Sequence, residues 1–266
     1  MSAAFTLTSM ITLLTDFGYQ DSYAGILRGI ISQINPTATI IDLTHGIAPH
    51  DCHAAMFQLR QATPYFNPQT IHLAVVDPGV GSSRRGLAIQ TSQGVLVGPD
   101  NGIFTGVLHQ AQVNQAVELT NPDYWLPLEI STTFHGRDIF APVAAHLSLG
   151  VGLSSLGNPI DPASLICLPG LEPEQTSSGW RGTIQGIDHF GNVISTLPKT
   201  LCQGGTWMVQ YQALTLPLMH IYSEVSPGQP IALIGSHGWL EIAINQGSAA
   251  QIYGTRLGDT IYLHPA

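Results

Sequence analysis

The chain has 266 residues with a net charge of -9, 44% hydrophobic residues, 28 glycines and 18 prolines. It is long enough for one large or two smaller domains, and the composition is that of a turn-rich globular protein. Charged residues make up 9%, against a usual figure of about 25%. Seven arginines and one lysine leave no basic face for nucleic acid or an anionic membrane. So few charges also suggest surface hidden in contacts between identical subunits.

Ile11 to Leu14 reads as a short buried strand stopped by Thr15-Asp16-Phe17-Gly18. The opening MSAAFTLTSMITLL has no basic residue ahead of its apolar part, so a signal peptide is not expected. Asp21 or Ser22 can cap the next helix, whose apolar face is Tyr23, Ile26, Leu27, Ile30 and Ile31. Thr39 to Leu43 is a second strand. Asp51 can cap a second helix holding Ala54, Met56, Phe57 and Leu59.

Ile71 to Val76 is a third apolar run, ending at Asp77 and followed by Pro78-Gly79-Val80-Gly81 and by Arg84 and Arg85. An acid at a strand end, a glycine loop and an arginine together mark the edge where open α/β sheets bind ligands. A surface turn built around Asp77 would account for the same residues. Leu87 to Ile89 and Val95 to Val97 form a hairpin pair, and Ile139 to Leu149 a third helix. The βαβ rhythm predicts a mainly parallel sheet covered by helices.

The pattern changes near residue 150. We read residues 1–165 as an α/β domain, about 150–178 as a surface linker, and 179–266 as a smaller antiparallel β domain, barrel or sandwich. Its strands are 182–187, 192–196, 206–210, 231–234, 240–244 and 260–263, with a possible turn at 248–253. Cys52, Cys167 and Cys202 are odd in number and far apart, which suggests free thiols in a cytoplasmic protein. No apolar run is long enough to span a bilayer.

Asp16, Asp42 and Asp77 each follow or end a predicted strand, so parallel pairing would align them on one sheet edge. His135 precedes the third helix, and Asp138 reads as its cap or dipole partner. Asp188, Phe190 and Asn192 surround a tight turn, and Ser236 and Asn245 flank a strand. Asp16, Asp42, His45, Asp51, His53 and His135 lack a metal-ligand spacing such as His-Glu-x-x-His, so no metal is expected.

Five segments, LTDFG (14–18), VVDPGVGSSRR (75–85), TFHGRDIFAP (133–142), DHFGN (188–192) and LEIAINQGSAA (240–250), occur in this order across nearly the whole chain. In them the chain resembles the S-adenosyl-L-methionine (SAM) hydroxide adenosyltransferases, which are related to SAM-dependent fluorinases and chlorinases. The resemblance implies cleavage of SAM to adenosine and L-methionine by hydroxide, or by water losing a proton, at ribose C5′. No cofactor is implied, since SAM is the substrate. It implies an α/β domain followed by an antiparallel β domain, in a homotrimer with active sites between subunits.

By motif position, Asp77, Arg84 and His135 are the set responsible for the water. His135 assisted by Asp77 is the favoured proton acceptor. Asp16 matches the acid that grips the ribose hydroxyls, and Phe17 beside it is counted with the substrate contacts. Asp188 and Asn192 match groups holding the methionine amino end and the adenine. Phe190 matches an aromatic beside the adenine, and Ser236 a hydroxyl that meets the methionine carboxylate. The halogenating relatives have an extra residue between the Asp and the Phe that DHFGN lacks. In the fluorinating relatives a tyrosine stands at position 77 and an aromatic and a serine at 135 and 136. A carboxylate at 77 repels a halide, so hydroxide is favoured over halide transfer. A non-catalytic protein binding SAM or adenosine is the remaining alternative.

Overall fold

The first strand, β1 (Met10–Thr15), is almost wholly buried. It belongs to a computed structural model that describes residues 9–266. The reading of the opening segment as no signal peptide bears partly on residues 1–8, which lie outside the described ones. The chain forms two compact units, one ending at Leu168 and the other running Pro169–Ala266. No helix among the described residues is long and apolar enough to cross a membrane.

In the first unit β1 is followed by α1 (Tyr23–Ile34), β2 (Thr39–Thr44), α2 (Cys52–Ala62), β3 (Ile71–Val75), β4 (Gly86–Thr91) and β5 (Gly94–Pro99). Then come α3 (Thr105–Leu108), β6 (Val113–Leu119), α4 (Ala141–Ser148) and β7 (Gly157–Pro159). The sheet order is β2-β1-β3-β5-β4-β6-β7. The first four strands are parallel neighbours, and β4, β6 and β7 extend the sheet antiparallel.

Successive side chains of a strand point to opposite faces, and both faces here are covered. Ile11, Leu13, Ile71, Leu73 and Val75 pack with α1 and α4 residues. Leu14, Ala74 and Val76 pack with α2 residues on the other side. This double burial is why β1 and β3 read as continuous apolar runs. Helix α1 buries Leu27, Ile30 and Ile31, the i, i+3, i+4 stripe of an amphipathic helix. Ser22 stands at its N-cap without a side-chain cap bond. Asp51 does cap α2, accepting from Ala54 N at 2.9 Å.

The third helix starts earlier than the sequence suggests. Gly136–Phe140 forms one π-helical turn that runs directly into α4. Asp138, expected to cap, is instead fully buried inside that turn. Residues 150–178, expected as a linker, carry β7, which pairs with β6, and β8 (Glu174–Thr176), the first strand of the second unit.

The second unit continues with β9 (Gly179–Ile187), β10 (Val193–Pro198), β11 (Trp207–Tyr211), β12 (Leu214–Met219), β13 (Pro230–Ile234), β14 (Trp239–Ile244), α5 (Ala249–Tyr253) and β15 (Thr260–Pro265). The order β10-β14-β13-β12-β11-β15-β9, with β9 also paired to β10, closes a seven-stranded barrel, and β8 adds to β9. All its pairings are antiparallel except β12–β13. Its interior holds Ile184, Val193, Val209, Tyr211, Leu240 and Ile242. Closure leaves few free strand edges.

Candidate active site

Strands β1 and β3 are in parallel register, with Thr15 opposite Val75. The residues just beyond their ends, Asp16 and Asp77, therefore emerge on the same sheet edge. β1 lies between β2 and β3, where chain direction of travel across the sheet reverses, a position at which α/β sheets bind ligands. Asp42 does not join them. It sits within β2 opposite Leu13 and pairs with Arg28.

Asp77 is joined to the other two residues of its expected set. Arg84 Nε donates to both carboxylate oxygens at 3.0 Å, and Nη2 donates to Oδ2 at 2.5 Å. The same Nη2 lies 2.8 Å from His135 Nδ1. A guanidinium has donors only, so Nδ1 accepts and the ring proton sits on Nε2. The Arg84 side chain is 10% exposed and that of Asp77 6%, so this bridge is largely out of water. Arg84 also lies over the Phe140 ring at 5.2 Å, a cation–π contact. His135 is held below its ordinary pKa by burial first and by the Arg84 charge second, against the opposing pull of Asp77 and Asp138.

The loop after Asp77 is shaped by its glycines. Val80 N donates to Asp77 O, and Ser82 N to Gly79 O. Gly81 has φ +78°, and a Cβ there would come within 2.2 Å of Thr132 O. Only glycine permits both the backbone conformation and this approach, which brings the loop of Asp77 against the segment leading to His135. That segment is pinned from its other end. Buried Asp138 accepts from Arg137 Nε at 2.6 Å and from Ser131 N at 2.8 Å.

These residues enclose a cleft of about 280 Å³, lined by Asp16, Phe17, Tyr23, Asp77, Phe134 and His135 among others. Phe17, Tyr23 and Phe134 meet edge-to-face in all three pairings, at 5.2–5.8 Å. Asp16 Oδ2 accepts from His50 N at 2.8 Å, which orients the carboxylate and leaves acceptor capacity for a ligand. His45, fully buried, holds the Asp16 loop from below through Thr15 Oγ1 and through its own carbonyl to Gly18 N.

The second unit has a larger cleft of about 560 Å³, lined by Phe190, Asn192, Tyr222, Ile244, Asn245, Gln246 and Gly247. Phe190 and Asn192 are thus brought together. Asp188 is occupied by its own loop: Oδ1 accepts from Phe190 N and Asn192 N, and Oδ2 from Asn192 Nδ2. Ser236 is exposed in the turn between β13 and β14, at the other end of β14 from Asn245. Reading the sequence missed Tyr222, Gln246 and a buried acid, Glu241. The signal for Glu241 was present, as the one charge inside the apolar strand WLEIAI. Tyr222 lies in a loop with no pattern to mark it. Among the described residues no three of His, Cys, Asp and Glu gather as a metal site.

Comparisons with known proteins show the family. Residues 11–157 match the SAM hydroxide adenosyltransferase N-terminal domain, and residues 182–262 the C-terminal domain. An (R)-S-adenosyl-L-methionine hydrolase of Salinispora tropica is 38% identical over 96% of this chain and 97% of its own. A crystal structure of an uncharacterized conserved protein from Thermotoga maritima superposes with a TM-score of 0.88, at 34% identity, covering 96% of this chain and 100% of that one. A fluorinase of an Actinoplanes species stands further off, at 25% identity over 95% of this chain and 96% of its own.

Proposed function

The chain belongs to the SAM hydroxide adenosyltransferase family, and from that premise we propose that it hydrolyses (R)-S-adenosyl-L-methionine to adenosine and L-methionine. The observation that carries this reading is the Asp77–Arg84–His135 bridge, facing the same cleft as Asp16.

A water oxygen attacks ribose C5′ in line with the C–S bond. The C–O bond forms as the C–S pair leaves to sulfur, so the sulfonium becomes the neutral thioether of methionine. The leaving group needs no proton. Positive charge moves from sulfur to the attacking oxygen, whose protons become strongly acidic. A carboxylate beside that oxygen therefore stabilises the transition state more than the ground state.

Asp77 fits this role and takes the proton that the attacking water loses, because a carboxylate has roughly four lone-pair sites and Arg84 does not fill them all. We assign His135 the part of donor rather than acceptor. Its Nδ1 faces Arg84, so its Nε2–H donates to the water and aims a lone pair at C5′. Arg84 holds both in register. Asp16 takes the ribose diol, and the Phe17–Tyr23–Phe134 wall excludes competing water. A carboxylate at the nucleophile position also disfavours halide.

Phe190, 73% exposed, and Asn192 are assigned to the adenine. Asp188 acts by shaping their loop, and Ser236 is assigned to the methionine carboxylate. Each unit carries part of what the substrate needs. We assign both parts to one site, completed across the subunits of a homotrimer, and the 9% charged composition suits such contacts. The three free cysteines suit a reducing cytoplasm.

Chromatography of products from a mixture of both sulfonium epimers, with and without chloride and fluoride, tests the reading. Adenosine and methionine in equal amounts, independent of halide, are expected. A 5′-halo-5′-deoxyadenosine product, or no turnover, would overturn it.

A further inference from the structure

Glu241 lies in the middle of β14, where every side chain is buried, and no step above uses it. A buried carboxylate needs partners, and this one has two. Tyr222 donates its hydroxyl proton to Oε1 at 2.5 Å. His237 Nε2 lies 2.9 Å from Oε2. His237 Nδ1 accepts from Trp239 N, so its ring proton is on Nε2 and points at Glu241. Space for this cluster comes from Gly235, where a Cβ would sit 2.3 Å from Glu241 Oε2.

The cluster reaches the second-unit cleft through one residue. Tyr222 lies in the loop between β12 and β13 and lines the cleft with Phe190 and Asn192. Four residues beyond Glu241, Asn245 ties the same loop down again. Its Nδ2 donates to Val225 O, and its carbonyl accepts from Gly228 N. Burial, and then Glu241, raise the Tyr222 phenol well above its ordinary pKa, so the hydroxyl stays a donor.

We propose that Glu241 is a positioning residue for nucleoside binding: it fixes Tyr222 as a rigid wall of the second-unit cleft. A wall ordered beforehand does not have to be ordered by the ligand, and that preorganisation appears as affinity. The proposal rests on the reading of this cleft as the adenine site.

The test is calorimetry with adenosine, beside steady-state kinetics on SAM containing both epimers, for the wild type, Glu241→Gln, Tyr222→Phe and the double variant. Each single variant should weaken adenosine binding and raise KM by about two- to tenfold, the size of one hydrogen bond, with kcat unchanged. The double variant should be no weaker than the weaker single, because Glu241 acts through Tyr222. A Glu241→Gln variant that binds like the wild type overturns the proposal, as do losses that multiply in the double variant. If Glu241→Gln does not fold, Tyr222→Phe must still lose affinity, and unchanged binding there is equally decisive. Wild-type protein that neither binds adenosine nor consumes SAM would remove the hydrolase reading, and this proposal with it.

Discussion

Arg84 touches both Asp77 and His135, the other members of the proposed water site, so it is the residue whose loss says most. Lysine keeps the charge but not the fork that meets Asp77 and His135 together. Arg84→Lys should lower kcat by on the order of 100-fold, the scale of losing a fixed charge-stabilising donor, with adenosine affinity unchanged. Steady-state kinetics and calorimetry check this, and a near-normal kcat would contradict it. On the proposed mechanism the acid limb of the rate profile belongs to His135. Its pKa is lowered by burial and Arg84, and a proton on Nδ1 would face a guanidinium donor. kcat/KM should therefore hold as pH falls to the ordinary imidazole value of 6.5 and decline only below it. A midpoint at or above that value would show that the ring is not held neutral by this contact.

At this scale the first-unit residues were legible from their motifs. A strand ending in Asp77, a Pro-Gly loop and two of only seven arginines also fit a surface turn, and it is the order of all five motifs that favours a site. Asp188 was harder to read. Motif position says that it is polar and near the site, but not that nearby N–H groups of its own loop claim both oxygens.

The element that matters most is the Asp77–Arg85 loop. Gly81→Ala introduces both a strained φ and a collision with Thr132 O. It should destabilise the fold by about 1–3 kcal/mol and lower turnover by shifting Arg84 from His135. Urea denaturation and kinetics test this, and an unaltered midpoint would mean that the loop tolerates the side chain. Most strands were visible from apolar runs and turn residues. β12 was not, because Pro217 within LTLPLM reads as a strand breaker. β6 was not, because VNQAVEL mixes polar residues into a strand near the sheet edge. The π turn at Gly136–Phe140 departs from the 3.6-residue period, so periodicity placed the helix start near Ile139 rather than Gly136.

For the whole molecule, the two-part architecture followed from the change of period near residue 150. Closure of the barrel did not, since it depends on β9 meeting β10 and on β12 running parallel to β13, pairings that no local pattern encodes. The proposed homotrimer is tested on the assembled protein. Light scattering should give three chains per particle. Coexpressing Asp77→Asn with Asn192→Ala, each nearly inactive alone, should restore part of the activity, because some mixed sites receive both intact halves. No recovery from assembled mixed oligomers would place the whole site within one chain.

Hydrolysis of SAM in ¹⁸O-labelled water shows whether water is the nucleophile at ribose C5′. Mass spectrometry should find one labelled oxygen on the 5′-carbon of adenosine and none in methionine. Unlabelled adenosine, or label in methionine, would contradict attack by water there.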